Sequence, residues 1–134
     1  MHVCVSVSPG YLLGTSGVSW QQASEWCQSL AKQLVTIQSE QKQASVTNYL
    51  ISQGGGGYKN YWIGLTDTDE EGTWVWSSGV AFTYSRWWTG EPNNYGGNEN
   101  CAALMAYNDY KWKDLSCTAT GLNNNRPNIA LCED

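Results

Sequence analysis

The residues best placed to do chemistry lie in Gly90-Glu91-Pro92-Asn93, with Glu99 eight positions after Glu91 and Cys101 just beyond. Trp112-Lys113-Asp114-Leu115-Ser116-Cys117 comes next. Oxygen-bearing side chains thus stand on both sides of a proline, with two more carboxylates, Glu99 and Asp114, downstream. A hard cation such as Ca²⁺ takes about six to eight oxygen ligands, and carboxylates and side-chain amides are the usual suppliers. Cys101 and Cys117 bracket the second half of the cluster, in position to clamp it.

These residues need elements to hold them. Residues 3–13 read as an extended lead-in, with Val3, Val5 and Val7 alternating before Pro9-Gly10. A helix is expected from Trp20 to Lys32, with Ser19 as its N-cap and Gln22 completing a capping box. Ala23, Trp26, Cys27 and Leu30 then form one apolar stripe. Leu34 to Ile37 reads as a short strand. Ser39 opens a second helix to about Ile51, with Val46, Tyr49 and Leu50 facing inward. Gly54 to Gly57 cannot hold a helix and mark a loop.

Beyond this the chain turns strand-like, at Tyr61–Leu65, Thr73–Trp76, Ala102–Ala106, Tyr110–Asp114 and Ile129–Cys132. Ser77 to Asn100 is polar, rich in Gly and without periodicity. A loop of that length in a compact domain is usually functional or disordered. Two helices followed by strands and long loops make an α+β arrangement. There is no repeat and no linker, and 134 residues suffice for a single domain, residues 1–134, with one core.

Composition narrows the functions. Only 14% of residues are charged, against about 25% in ordinary domains. Eight Trp and eight Tyr accompany a single Phe, a mix suited to half-exposed walls and binding surfaces. The net charge is −5 with no basic run, so no nucleic acid partner is expected. No stretch reaches the roughly 20 apolar residues of a membrane span. The N-terminus has no basic segment leading into an apolar one, so no signal peptide is expected and the chain reads as a mature form or fragment. Five cysteines point to an oxidising, secreted setting. With one His and no closely spaced cysteine pair, zinc and thioredoxin-type readings are poor. Spacing alone leaves about 15 ways to pair four of the five cysteines.

The Glu91-Pro92-Asn93 and Trp112-Lys113-Asp114 segments, with Trp62-Ile63-Gly64-Leu65 and Glu71-Gly72-Thr73-Trp74-Val75-Trp76, resemble the C-type lectin domain from about Tyr11 to Glu133. The resemblance implies a C-type lectin-like fold: two helices flanking small antiparallel sheets, with a long loop region carrying the ligand site. It implies Cys27–Cys132 and Cys101–Cys117 disulfides. It also implies a sugar-site calcium held by Glu91, Asn93, Glu99 and Asp114, with a cis bond at Glu91–Pro92. Lys113 stands where the family has an Asn. Lysine cannot coordinate a cation, and its ammonium is repulsive near one. It remains able to donate to a sugar hydroxyl. Asp67, Glu71, Asn94 and Asn100, together with Glu99, mark an auxiliary calcium site, with amides where acids are common.

In the family, Glu-Pro-Asn goes with equatorial 3- and 4-hydroxyls, so mannose-type glycans are the implied ligands. Tyr95 is a candidate for the sugar's apolar face. Trp74, Trp76, Trp87 and Trp88 are expected to pack the long loops onto the body, and Trp112 to anchor Asp114 from below. A Trp stacked on the ligand would instead allow galactose. Loss of the site at Lys113 would leave a domain that binds protein. Glu91 and Glu99 as a glycosidase pair is disfavoured because both would hold metal, and the lone His2 forms no catalytic arrangement, so no enzyme is expected. Cys4 has no partner cysteine in the pattern. A secreted homodimer bridged through Cys4 is the expectation, since two weak sites gain effective affinity together.

Overall fold

The computed structural model describes residues 10–134. Val3, Val5, Val7, His2 and Cys4, and with Cys4 the expected intermolecular bridge, lie outside the described residues. Two helices and seven strands follow in the order β1 (Leu12–Ser16), α1 (Trp20–Ser29), β2 (Gln33–Leu34), α2 (Glu40–Ser52), β3 (Asn60–Thr66), β4 (Val75–Trp76), β5 (Cys101–Met105), β6 (Lys111–Leu115) and β7 (Asn128–Glu133).

Helix α1 begins where the sequence places it. The Ser19 hydroxyl accepts from the Gln22 N–H at 3.2 Å and Gln22 Oε1 accepts from the Ser19 N–H at 2.9 Å, a reciprocal capping box. Its end differs from the expectation. Leu30 is the C-cap and is 44% exposed, because Ala31 turns the chain out of the helix at φ 57°. Ala23 and Cys27 carry the buried face. Helix α2 is capped by Ser39 and stops before Gly54, whose φ of 70° costs glycine nothing. Its buried face is Gln43, Val46 and Leu50, with Tyr49 only half-buried. Of the expected strand at 34–37 only Leu34 falls within β2, although the Val35 N–H still donates to the Leu131 carbonyl at 3.1 Å, its carbonyl accepts the Gly64 N–H at 2.9 Å, and Val35, Thr36 and Ile37 are buried.

The strands form one sheet, ordered β1-β7-β3-β5-β6, with β2 added to β7 and β4 to β3. All pairs are antiparallel except β3 with β7, which run parallel. The small antiparallel sheets expected from the resemblance are therefore joined into a single mixed sheet through that pair, and the α+β class holds. Two disulfides formed as expected fasten it. Cys27–Cys132 ties α1 to β7, and Cys101–Cys117 ties the start of β5 to the segment after β6. Trp62 and Trp112 are fully buried, one in each of the two apolar clusters that make up the core.

Candidate functional site

Strand β6 is the sheet edge, and the long 77–100 loop is strapped along it. The Trp88 N–H donates to the Trp112 carbonyl at 2.9 Å, and the Trp112 N–H donates to the Arg86 carbonyl at 2.9 Å. The Trp87 ring packs edge-on against Trp112 and tilted against Trp74, with centroids 5.6 and 5.0 Å apart. Trp112 Nε1 in turn donates to the buried Gln43 side chain at 2.9 Å, and Gln43 donates to the Tyr110 carbonyl at 3.2 Å. Gln43 is the polar residue on the inner face of α2 that apolar periodicity does not reveal. Buried polar groups are kept only when bonded, and here the bonds fix the tryptophan beneath the site.

Trp112 is thus the anchor expected of it, and Trp74, Trp76 and Trp87 pack the loop onto the body. Trp88 does not pack this way. Its backbone takes part in the strap and begins the turn closed by the Glu91 N–H to Trp88 carbonyl bond of 2.8 Å, and the residue is 41% exposed.

Two residues past Trp112, Asp114 is fully buried and reaches the loop. Its two carboxylate oxygens accept the backbone N–H groups of Asn93 at 3.0 Å and Asn94 at 2.7 Å. The Glu91–Pro92 bond is cis, as expected. Asn93 Nδ2 donates to Glu91 Oε2 at 3.3 Å. The Tyr95 N–H bonds both Asn93 Oδ1, at 3.1 Å, and Glu99 Oε1, at 3.0 Å. Asn94 sits at φ 45° and its side-chain oxygen accepts the Glu99 N–H at 2.9 Å. Glu91, Asn93, Glu99 and Asp114 therefore meet in one hydrogen-bonded cluster. Tyr95 projects from it into solvent, 80% exposed. Lys113 lies on the groove side of β6 beside Glu99, and its charge acts on both Glu91 and Glu99.

The electrostatics of this cluster favour a cation. Burial first, and then the neighbouring Asp114, push the Glu91 carboxyl up to about 7, with Lys113 offsetting part of the rise. Burial likewise raises Glu99. Glu91 Oε1 is buried and has no hydrogen-bond donor among the described residues. Two carboxylates side by side can satisfy each other only by sharing a proton, and a buried oxygen with no donor is costly. A hard cation among these oxygens would relieve both penalties, so the residues present fit Ca²⁺. Among the described residues no three His, Cys, Asp or Glu side chains converge as a metal centre by themselves. The oxygen set depends on Asn93 as well as on the acids.

The second acidic group closes on itself. Asp67 is buried, and its Oδ2 accepts the Gly72 N–H at 2.9 Å. The Asn100 amide, set with its nitrogen toward the acids, donates to Asp67 Oδ1 and Glu71 Oε1, both at 3.0 Å. Burial and the Asp67 charge raise the Glu71 carboxyl. Asn94 is committed to Glu99 instead and does not join this group. An amide donor thus bridges the two acids.

A groove of about 600 Å³ adjoins the first cluster. Glu99 and Lys113 line its near side, and the 116–127 connection between β6 and β7, which carries Arg126, forms most of the rest, with Asn60 and Tyr107. Sequence reasoning did not single out this connection. The only local signal is the run Gly121-Leu122-Asn123-Asn124-Asn125-Arg126-Pro127, which marks a turn but no ligand.

Comparison with known proteins agrees with this geometry. A family model for the lectin C-type domain matches residues 16–133. Ladderlectin of Oncorhynchus mykiss is 35% identical over 99 residues, covering 74% of this chain and 52% of that protein. C-type lectin 1 of Hydrophis hardwickii is 37% identical over 111 residues, covering 81% and 66% respectively. The chain therefore spans between about half and two thirds of those relatives' lengths. The cow C-type carbohydrate-recognition domain of CD23, solved in the presence of a GlcNAc2Man3 oligosaccharide, superposes with a TM-score of 0.77. It is 31% identical, and the match covers 92% of this chain and 85% of that one. This chain belongs to the C-type lectin domain family.

Proposed function

We propose that this domain is a calcium-dependent carbohydrate-binding lectin for mannose-type sugars. Glu91, Asn93, Glu99 and Asp114 would hold the cation. The single observation that supports this most is the buried, donor-less Glu91 Oε1 in a carboxylate–amide cluster beside a cis proline. Bound Ca²⁺ would supply open coordination positions for two vicinal sugar hydroxyls. The chain's own part is to orient the acceptors. Asp114 fixes the loop through two backbone N–H groups, and Glu91 and Asn93 are set on either side of Pro92. Tyr95 would lie against the sugar, and Lys113 would donate to a hydroxyl in place of the family's amide. The order Glu-Pro-Asn and the oligosaccharide present with the CD23 domain both favour mannose-type ligands. Binding rather than catalysis is the role proposed.

A second calcium at Asp67, Glu71, Asn94 and Asn100 would have to displace the Asn100 bridge, so it would be the weaker of the two. The two disulfides suit a secreted protein. A homodimer linked through Cys4 remains part of the proposal, and a monomer band alone on non-reducing electrophoresis would exclude it. Among the described residues no helix is long and apolar enough to cross a membrane.

One observation favours galactose as a second reading. The exposed Trp88 ring begins the turn into Glu91 and is available for stacking on a sugar's apolar face. Parallel mannose-agarose and galactose-agarose columns separate the two. Retention on mannose in Ca²⁺ with elution by EDTA is expected. Retention only on galactose would assign specificity to the aromatic wall, and flow-through on both would leave a domain that binds protein.

A further inference from the structure

The groove beside the first cluster carries a chemistry of its own. The chain has seven Lys and Arg residues and a net charge of −5. Lys32, Lys42 and Arg86 are spent in ion pairs with Asp134, Glu133 and Asp109, and Lys59 donates to the Gly54 carbonyl. Two of the remaining cations, Lys113 and Arg126, line the same groove. Among the described residues neither is in an ion pair. In an acidic protein, two cations without an ion-pair partner among the described residues, across one concavity, make a locally positive site. Glu99 is the one acid among the lining residues, and as a cation ligand its charge would be met from the cluster side.

Arg126 is also held in place. Its guanidinium carbon lies 4.7 Å from the Tyr107 ring centroid and 5.4 Å from that of Tyr58. Tyr107 is fixed from behind, donating its hydroxyl to Asn60 Oδ1 at 2.8 Å, while Asn60 donates to Asn128 Oδ1 at 2.9 Å. A guanidinium resting on aromatic rings keeps its N–H donors available. Its planar fork matches the paired oxygens of a carboxylate or sulfate. The groove volume falls within the range of about 300–1,000 Å³ usual for small-ligand sites.

We propose that the groove between Lys113 and Arg126 is a second subsite, taking an anionic group (a sulfate ester or a carboxylate) on the sugar residue next to the one at the Glu91–Asp114 cluster. This rests on the carbohydrate reading above. Glu99, common to the cluster and the groove, makes the two sites adjacent, so one oligosaccharide can span them.

The test is calorimetric titration of the calcium-loaded protein with three probes. They are a mannose disaccharide, the same disaccharide sulfated on its second residue, and its second-residue uronic acid form. The sulfated or the carboxylated probe is expected to bind about fivefold tighter than the neutral one at low salt, a modest gain because exposed ion pairs are weak. The gain should collapse near 1 M salt, where charges beyond about 3 Å are screened. Whichever anionic probe gains identifies the group. Arg126→Gln should abolish the gain and leave the neutral affinity unchanged. Arg126→Lys should retain part of it, and equal melting temperatures for both variants and the parent would show that the loop has kept its fold. Equal affinity of all three probes, or a gain that survives Arg126→Gln, overturns the subsite while leaving the lectin reading intact. Binding of the sulfated probe without calcium, lost in Arg126→Gln and with no binding of the neutral one, would keep the subsite and overturn the calcium site instead. No binding of any probe overturns both.

Discussion

Replacing Asp114 with Asn removes one oxygen and one negative charge without changing the side chain's shape. In the parent both carboxylate oxygens accept a backbone N–H, from Asn93 at 3.0 Å and Asn94 at 2.7 Å, at a fully buried position. An amide can accept only one of these, and its NH₂ group faces the other N–H. Losing a hydrogen bond to a charged acceptor costs about 1.5–3 kcal/mol. Part of this is recovered because Glu91 no longer lies beside a second carboxylate, which leaves a net cost of about 1–2 kcal/mol. With an unfolding entropy of about 2.1 cal/mol/K per residue, the 134 residues give a drop in Tm of about 4–7 °C in EDTA. Calcium at 100 times its Kd would raise the parent's stability by about 2.7 kcal/mol, or about 10 °C. Asp114→Asn should lose most of that rise. Differential scanning calorimetry in EDTA and in millimolar CaCl₂ reads both effects. A variant that kept the full calcium-induced shift would refute the assignment of Asp114 as a ligand, and an unchanged Tm in EDTA would refute its role as the loop's clamp.

Three further outcomes are expected. The Glu91 carboxyl is raised from 4.5 to about 7 in the folded chain, so its contribution to stability is present below about 4.5 and is lost as pH rises through about 7. Melting curves in EDTA should therefore shift down between these values, and calcium should flatten the trend; a Tm in EDTA that climbs with pH would contradict the buried carboxyl. Lys113→Asn should tighten calcium binding by removing a repulsive charge and adding an oxygen. Calorimetry showing no gain would mean that Lys113 does not face the cation. Asn100→Asp should destabilise the metal-free protein by replacing the amide bridge between Asp67 and Glu71 with a third carboxylate. It should add a second equivalent of bound calcium, and a stoichiometry unchanged from the parent would count against an auxiliary site in this loop.

Local chemistry was legible wherever a short stretch decides it. Ser19 with Gln22, Ser39, and Gly54 after the second helix each act on neighbours within a few residues, and the structure uses all of them as read. The cis bond and both disulfides followed from the family resemblance. Features set by distant partners were not legible. The parallel pairing of β3 with β7 joins residues more than sixty positions apart and turns separate sheets into one. Gln43 lies on a face read as apolar because its partners, Trp112 and Tyr110, come from β6 and the residue before it. Trp88 looks like its neighbour Trp87 in the sequence, yet of the two only the Trp87 ring packs against the Trp112 ring, while Trp88 meets Trp112 through its backbone. At the site itself, the proposed ligand residues were named through the family resemblance, whereas the Asn100 bridge and the Arg126 stack on Tyr58 and Tyr107 depend on contacts across the fold.

The most direct test of the central proposal is a two-stage calorimetric titration: calcium into the metal-free protein, then methyl mannoside into the calcium-loaded and EDTA-treated forms. The expected result is a saturable calcium site whose strength falls in Asp114→Asn, with heat from the mannoside only when calcium is bound. Sugar binding that is equal with and without calcium, or no calcium binding at millimolar concentration, would contradict it.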